Sequence, residues 1–137
     1  MEHIEVVKDN AEILAIIVRK DYSTEGLKFF TPDDFSQQLA YMNHKKGKLI
    51  KPHAHNSLKR EIHFTQEVLL LKRGKLKVDI YRNDQSFLST FVLTEGDVIL
   101  LAGGGHGFEA LEDIEIIEVK QGPYNGDLDK THFANES

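Results

Sequence analysis

Lys75-Leu76-Lys77-Val78-Asp79-Ile80-Tyr81 alternates polar and apolar residues without a break. Side chains of a strand repeat with period two, so Leu76, Val78 and Ile80 share one face and Lys75, Lys77 and Asp79 the other. A segment of this kind is a strand with one face in a core and one in water. Short segments of similar character recur on both sides of it. Glu67 to Leu71 is apolar on both faces, which calls for central placement in a sheet or cover by a second copy. Arg82-Asn83-Asp84-Gln85 forms a hairpin turn into Phe87 to Leu93, and Glu95-Gly96-Asp97 turns into Val98 to Leu101. Further strands are expected at Ile13 to Val18, within Phe35 to His44, near His106 to Leu111 and over Ile114 to Lys120. Thr31-Pro32-Asp33-Asp34 reads as a turn. Many short strands between turn signals predict an all-β sandwich or barrel.

The chain has 137 residues, the size of one ordinary domain, and is read as a single unit, 1–137. Its formal net charge is −5, with lysines scattered among acids, so it lacks the basic stripe expected of a protein that binds nucleic acid or an anionic membrane. It has no cysteine, which removes disulfides, thiolate metal sites and cysteine nucleophiles together. Met1-Glu2-His3-Ile4-Glu5 is acidic where a signal peptide is basic, and Ile13 to Val18 is too short to span a bilayer. A cytoplasmic location is the expectation.

The chemistry-bearing residues are the imidazoles. In a strand, His53-Ala54-His55 would present both rings on one face, where they can reach one metal ion. Glu67 shares parity with Leu69 and Leu71 and so points toward the core, where an unpaired carboxylate is expensive and a cation would offset the cost. His106 follows the glycine-rich turn Gly103-Gly104-Gly105, which lacks the lysine and following helix of a phosphate-binding loop. His63 shares parity with Glu67, but four residues of strand separate them by roughly 13 Å, too far for one coordination sphere. It is read with Glu61 as a loop or rim residue. His3, His44 and His132 lack partners at ligand spacing and are read as surface groups.

Taken together, the spacing resembles that of the cupins, small β-barrels of jelly-roll type. Gly47, five residues, His53-Ala54-His55, then Glu67, six residues, Gly74 follows the first cupin motif. The eleven residues Asn56 to Gln66 make a longer gap than the family has. Gly96, five residues, Ala102-Gly103-Gly104-Gly105-His106 resembles the second motif, with Ala102 for its proline, one residue fewer before the histidine and Ala110 for its asparagine. The resemblance spans residues 47 to 110. It implies a jelly-roll barrel (a double-stranded β-helix) and one divalent metal ion (iron, manganese, nickel or zinc) held by His53, His55, Glu67 and His106. Four protein ligands leave positions of an octahedral ion open to water or substrate.

The reading that follows is a metal-dependent cupin acting on a small oxygen-rich molecule such as a sugar derivative, by isomerase, epimerase or dioxygenase chemistry. A loose similarity to mannose-6-phosphate isomerase-like cupins underlies the sugar. The alternatives are a cupin that binds or senses a small molecule without turnover, and a structural barrel with no metal. The segment Asn56 to Gln66 is read as a loop returning to deliver Glu67, with Lys59 and Arg60 available to an anionic substrate. A homodimer is expected, because a face of Glu67 to Leu71 needs cover and symmetric dimers are the commonest assembly.

Overall fold

The computed structural model describes residues 3–133, which are all-β apart from one 3-10 turn at Gly126–Asp129. Ten strands follow one another: β1 Ile4–Asp9, β2 Glu12–Val18, β3 Gly26–Phe29, β4 Ala40–Asn43, β5 Glu67–Arg73, β6 Lys75–Tyr81, β7 Phe87–Thr94, β8 Val98–Leu101, β9 Gly105–Ala110 and β10 Glu115–Lys120. They form a five-stranded sheet in the order β1-β2-β8-β5-β10, a three-stranded sheet β7-β6-β9 and a hairpin β3-β4, with every pairing antiparallel. No helix among the described residues is long and apolar enough to cross a membrane.

Alternation decides which faces meet. Leu76, Val78 and Ile80 of β6 pack against Leu69 and Leu71 of β5, Ile17 of β2 and Ile99 of β8 in the core between the two larger sheets. Each such side chain, fully buried, contributes about 1.5–3 kcal/mol. The opposite face of the five-stranded sheet is also covered: Ile16, Val18 and Leu100 are buried under Tyr22, Phe30, Phe35 and Leu39. Two-sided burial explains why β2, β5 and β8 read as continuous apolar runs. For Glu67 to Leu71 the cover is internal, since β5 lies between β8 and β10 and Val68 packs into the outer cluster.

The chain passes between the two larger sheets at β5–β6, β7–β8, β8–β9 and β9–β10. The first crossing is sharp and rests on Gly74, whose φ is +95° and whose position would drive a Cβ into the carbonyl oxygen of Asp113. No hydrogen-bonded strand pair joins the two larger sheets, so the described strands form two facing layers without a closed barrel.

Three expectations change. The strand expected within Phe35 to His44 is confined to Ala40–Asn43. β1 and β3 were not anticipated: β1 has a bulge between Val7 and Lys8 that interrupts its alternation, and β3 has only four residues. Residues 44–66 contain no strand at all, so His53 and His55 do not stand on one, and neither do Ile62 to Phe64. Pro52 lacks a donor and Gly47 has φ +89°, so the stretch between them cannot join the middle of a sheet.

Candidate functional site

Glu67 opens β5 and His106 is the second residue of β9, on opposite sheets. Both face the space between the layers. His106 is the cross-strand partner of Ile80, a core residue, while Glu67 is paired with Leu101 on one side and Lys120 on the other. His106 Nε2 lies 3.0 Å from Glu67 Oε1, with the carboxylate side chain 13% exposed and the imidazole 32%. The imidazole beside it holds the Glu67 carboxyl below the usual carboxylate range. Burial works against this, and the positive charges of Lys120 and Lys130 act with it. The desolvation cost foreseen for an inward carboxylate is therefore met here by an imidazole and two lysines.

The site lies where the two layers are open. β9 and β10 are edge strands of their respective sheets. On β9 the inward-facing side chains are His106, Phe108 and Ala110, opposite the core residues Ile80, Val78 and Leu76. Phe108 nevertheless remains 45% exposed, its ring tilted against that of His106 at 5.3 Å. Inward-pointing yet exposed side chains mark a gap in the layer beside β9. The outer edge of β9 has no strand bonded to it among the described residues.

His53 and His55 stand apart from this pair, in the exposed segment 44–66. Their rings contact each other edge to face at 5.4 Å, and His53 Nδ1 is 3.0 Å from the Lys51 carbonyl. Among the described residues no three of histidine, cysteine, aspartate and glutamate gather at one point. The four residues that the family resemblance implies thus stand as two pairs, and only Glu67 with His106 forms part of a built site. That pair fits half of a metal shell, since two donors about 2.1 Å from one ion and at right angles to each other stand about 3 Å apart. Lys59 and Arg60 are exposed and make no ion pair or hydrogen bond among the described residues. His63 and Glu61 lie 3.9 Å apart in the same exposed segment, as loop residues.

The tail after β10 was not foreseen to pack against the three-stranded sheet. It leaves the five-stranded sheet at Lys120, beside Glu67, and reaches the other layer at Phe133, whose ring meets Tyr81 edge to face at 4.9 Å on the face of β9 away from His106. A Cβ on Gly105 would stand 2.8 Å from that ring, so the glycine before His106 admits the phenyl group. Along the way Lys120 Nζ lies over the Tyr124 ring at 5.7 Å and Thr65 Oγ1 donates to Asp129 Oδ1 at 3.4 Å. No family model, curated protein or solved structure matches this chain.

Proposed function

We propose that the protein is a metal-binding cupin that acts on a small oxygen-rich molecule, such as a sugar derivative, at the end of the sandwich where Glu67 and His106 meet. The observation that carries this reading is the 3.0 Å separation of His106 Nε2 and Glu67 Oε1 from opposite sheets, beside an unpaired strand edge. In this proposal the segment Leu49 to His55 adds to the outer edge of β9. Residues of like parity direct their backbone groups to the same neighbour, so His53 and His55 would bond to β9 and Pro52 would turn its missing donor outward, where an edge strand tolerates it. The two imidazoles would then share a face and join His106 and Glu67 around one divalent ion, completing a jelly roll. A bound ion of this kind supplies Lewis acidity toward a carbonyl or hydroxyl oxygen. Assembly as a homodimer belongs to the same proposal, and sedimentation at micromolar concentration showing only the 15.6 kDa chain would count against it.

Metal analysis tests the reading. Protein purified with iron, manganese, nickel or zinc in turn should retain about one equivalent of at least one of them. A His53→Ala, His55→Ala double variant and a Glu67→Ala variant should each lose it. Undiminished stoichiometry in the double variant would remove the proposal.

A further inference from the structure

We infer that the protein assembles as an arm-exchanged dimer, in which residues 44–64 of each copy cross to the other and bring His53 and His55 to its Glu67–His106 site. The inference rests on the strand addition proposed above and states which copy the added strand comes from.

The segment stands clear of the body that carries it. Asn43 is tied down by the bond from its Nδ2 to the Thr24 carbonyl, at 2.8 Å, and Gln66 by bonds from the backbone amides of Gln37 and Gln121, both at 3.1 Å. Between these anchors every residue from 44 to 65 is exposed. Among the described residues, the hydrogen bonds, ion pairs and ring contacts of 44–64 all lie within the segment itself. Leu49 is 88% exposed and Phe64 80%, and Ile50, Leu58 and Ile62 are also in water. Large apolar side chains gathered on one projecting segment mark an interaction surface.

Charge selects what that surface meets. Lys45, Lys46, Lys48, Lys51, Lys59 and Arg60 against the single acid Glu61 give the segment a charge of +5, so the rest of a chain of net charge −5 carries −10. A basic arm is complementary to the acidic body of a second copy, whereas the net charge of the whole chain repels a polyanion. In a two-fold dimer the contact occurs twice, and an arm of 21 residues matches the roughly 20–30 residues a side of a stable interface.

Reach decides against the arm's own body. The β3-β4 hairpin lies over the outer face of the five-stranded sheet, where Tyr41 meets Tyr22 edge to face at 5.0 Å and Phe29 lines a groove with Ile4 and Val6. β9 belongs to the layer on the inner face. Layers stack about 10 Å apart, so about 20 Å separates the hairpin from β9 in a straight line through the sheet. From Asn43 to Leu49 the chain spans at most about 18 Å, because the Lys48 amide bonds to the Lys45 carbonyl at 3.1 Å and closes a tight turn. The actual path is longer than the straight line, since it must round the edge of the sheet. Adding Leu49 to β9 of its own copy would break the turn or the Asn43 anchor, and a neighbouring copy placed beside β9 needs neither.

Mixed dimers test this. The His53→Ala, His55→Ala variant lacks the arm ligands and a Glu67→Ala, His106→Ala variant lacks the receiving ones, so neither alone should hold metal. Co-expressed under two affinity tags and purified through both, they should hold about one ion per heterodimer, half the wild-type content, because one of the two sites then has all four residues. A heterodimer as empty as its parents would show that each site is built from one chain and would overturn the inference. Cross-linking gives a readout independent of metal in a chain with no native cysteine. Ala54 and Glu109 are exposed and have opposite parity to the site histidines of their own segments. An Ala54→Cys chain co-expressed with a longer-tagged Glu109→Cys chain should give a bismaleimide-linked product of their summed mass. Linkage found only inside a chain bearing both cysteines would overturn the inference. A 15.6 kDa monomer that retains the metal would remove the exchange and leave the metal reading, whereas arms cross-linked between copies in protein that holds no metal would remove the metal reading alone.

Discussion

Arg19 and Asp97 form a polar knot, with Arg19 Nη1 donating to Asp97 Oδ2 at 3.1 Å where the β7–β8 turn meets the end of β2. Asp97 is 1% exposed and also accepts from the backbone amides of Lys20, at 2.8 Å, and Thr94, at 2.7 Å. Arg19 spans outward to Glu5 of β1 at 2.6 Å and to the Val92 carbonyl of β7 at 2.6 Å. Burial opposes the guanidinium charge, but the hydrogen bonds to Glu5 and Asp97 outweigh it and raise the Arg19 pKa. Arg19 keeps Glu5, but Asp97→Ala takes the acceptor from the Lys20 and Thr94 amides, so it should destabilise the protein by about 1–3 kcal/mol. Urea unfolding checks this, and a loss below about 1 kcal/mol would show that the knot is dispensable.

Gly74 should be nearly irreplaceable for a different reason. An alanine there would need a left-handed backbone, which costs about 1–2 kcal/mol, and would force its Cβ into the Asp113 carbonyl. Gly74→Ala is expected to lower stability by about 2 kcal/mol or more. Gly107→Ala, whose Cβ would meet only the Tyr81 ring at an ordinary 3.9 Å, should stay within about 1 kcal/mol of the wild type. Equal melting temperatures for the two variants would contradict the geometry.

The position of Glu67 predicts a pH dependence. Its carboxyl titrates lower in the folded chain than in the unfolded one, so it contributes stability at pH above the ordinary carboxylate range. That contribution is lost as pH falls through the folded value. Glu67→Gln removes the titration, so the stability gap between wild type and variant should shrink as pH falls through the carboxylate range. A gap that stays constant down to acid unfolding would mean that the His106 contact does not hold the carboxylate in solution.

Much of this was legible in the sequence because parity carries spatial information. The alternation of β6 and the apolar runs of β2, β5 and β8 gave the layers, and parity with Leu69 and Leu71 turned Glu67 inward. The motif spacing paired it with His106. What failed was the step from a pattern to a partner. His53-Ala54-His55 has strand parity, but a strand exists only when another strand supplies its hydrogen bonds, and residues 44–66 have none. Lys120 and Lys130 stayed invisible because the pairing of β10 with β5, which sets Lys120 beside Glu67, is a matter of register that the tail sequence does not state. The Phe133–Tyr81 contact likewise depends on a glycine at 105 that looked like turn chemistry alone.

The segment bearing Lys59 and Arg60 yields a separate prediction. Both side chains are exposed and make no ion pair or hydrogen bond among the described residues, so replacing both with alanine should leave the melting temperature within about 2 °C of the wild type. If the segment folds over the open end when a ligand enters, the same change should weaken binding of an anionic probe such as glucose 6-phosphate. Unaltered affinity would mark the pair as solvated charges, and loss of metal would assign them to the scaffold of the site.

The proposed addition of Leu49 to His55 onto β9 can be followed by protease protection. The segment is exposed, and Lys48-Leu49 is a peptide bond open to trypsin, whereas Lys51 is shielded chemically by the proline after it. An added edge strand would fix Leu49 in the ladder and bury its backbone against Gly105 to Ala110. Cleavage between Lys48 and Leu49 should therefore slow markedly when the retained divalent metal is added to stripped protein. The slowing should vanish in the His53→Ala, His55→Ala variant, which can no longer draw the strand toward His106 and Glu67. Amide hydrogen exchange along β9 gives an independent readout, since outward-facing amides of an edge strand exchange freely and those of a paired strand do not. Metal that binds while both the Lys48-Leu49 bond and the β9 amides stay as open as before would mean that the ion is held without strand addition, and the proposed completion of the three-stranded sheet would be wrong.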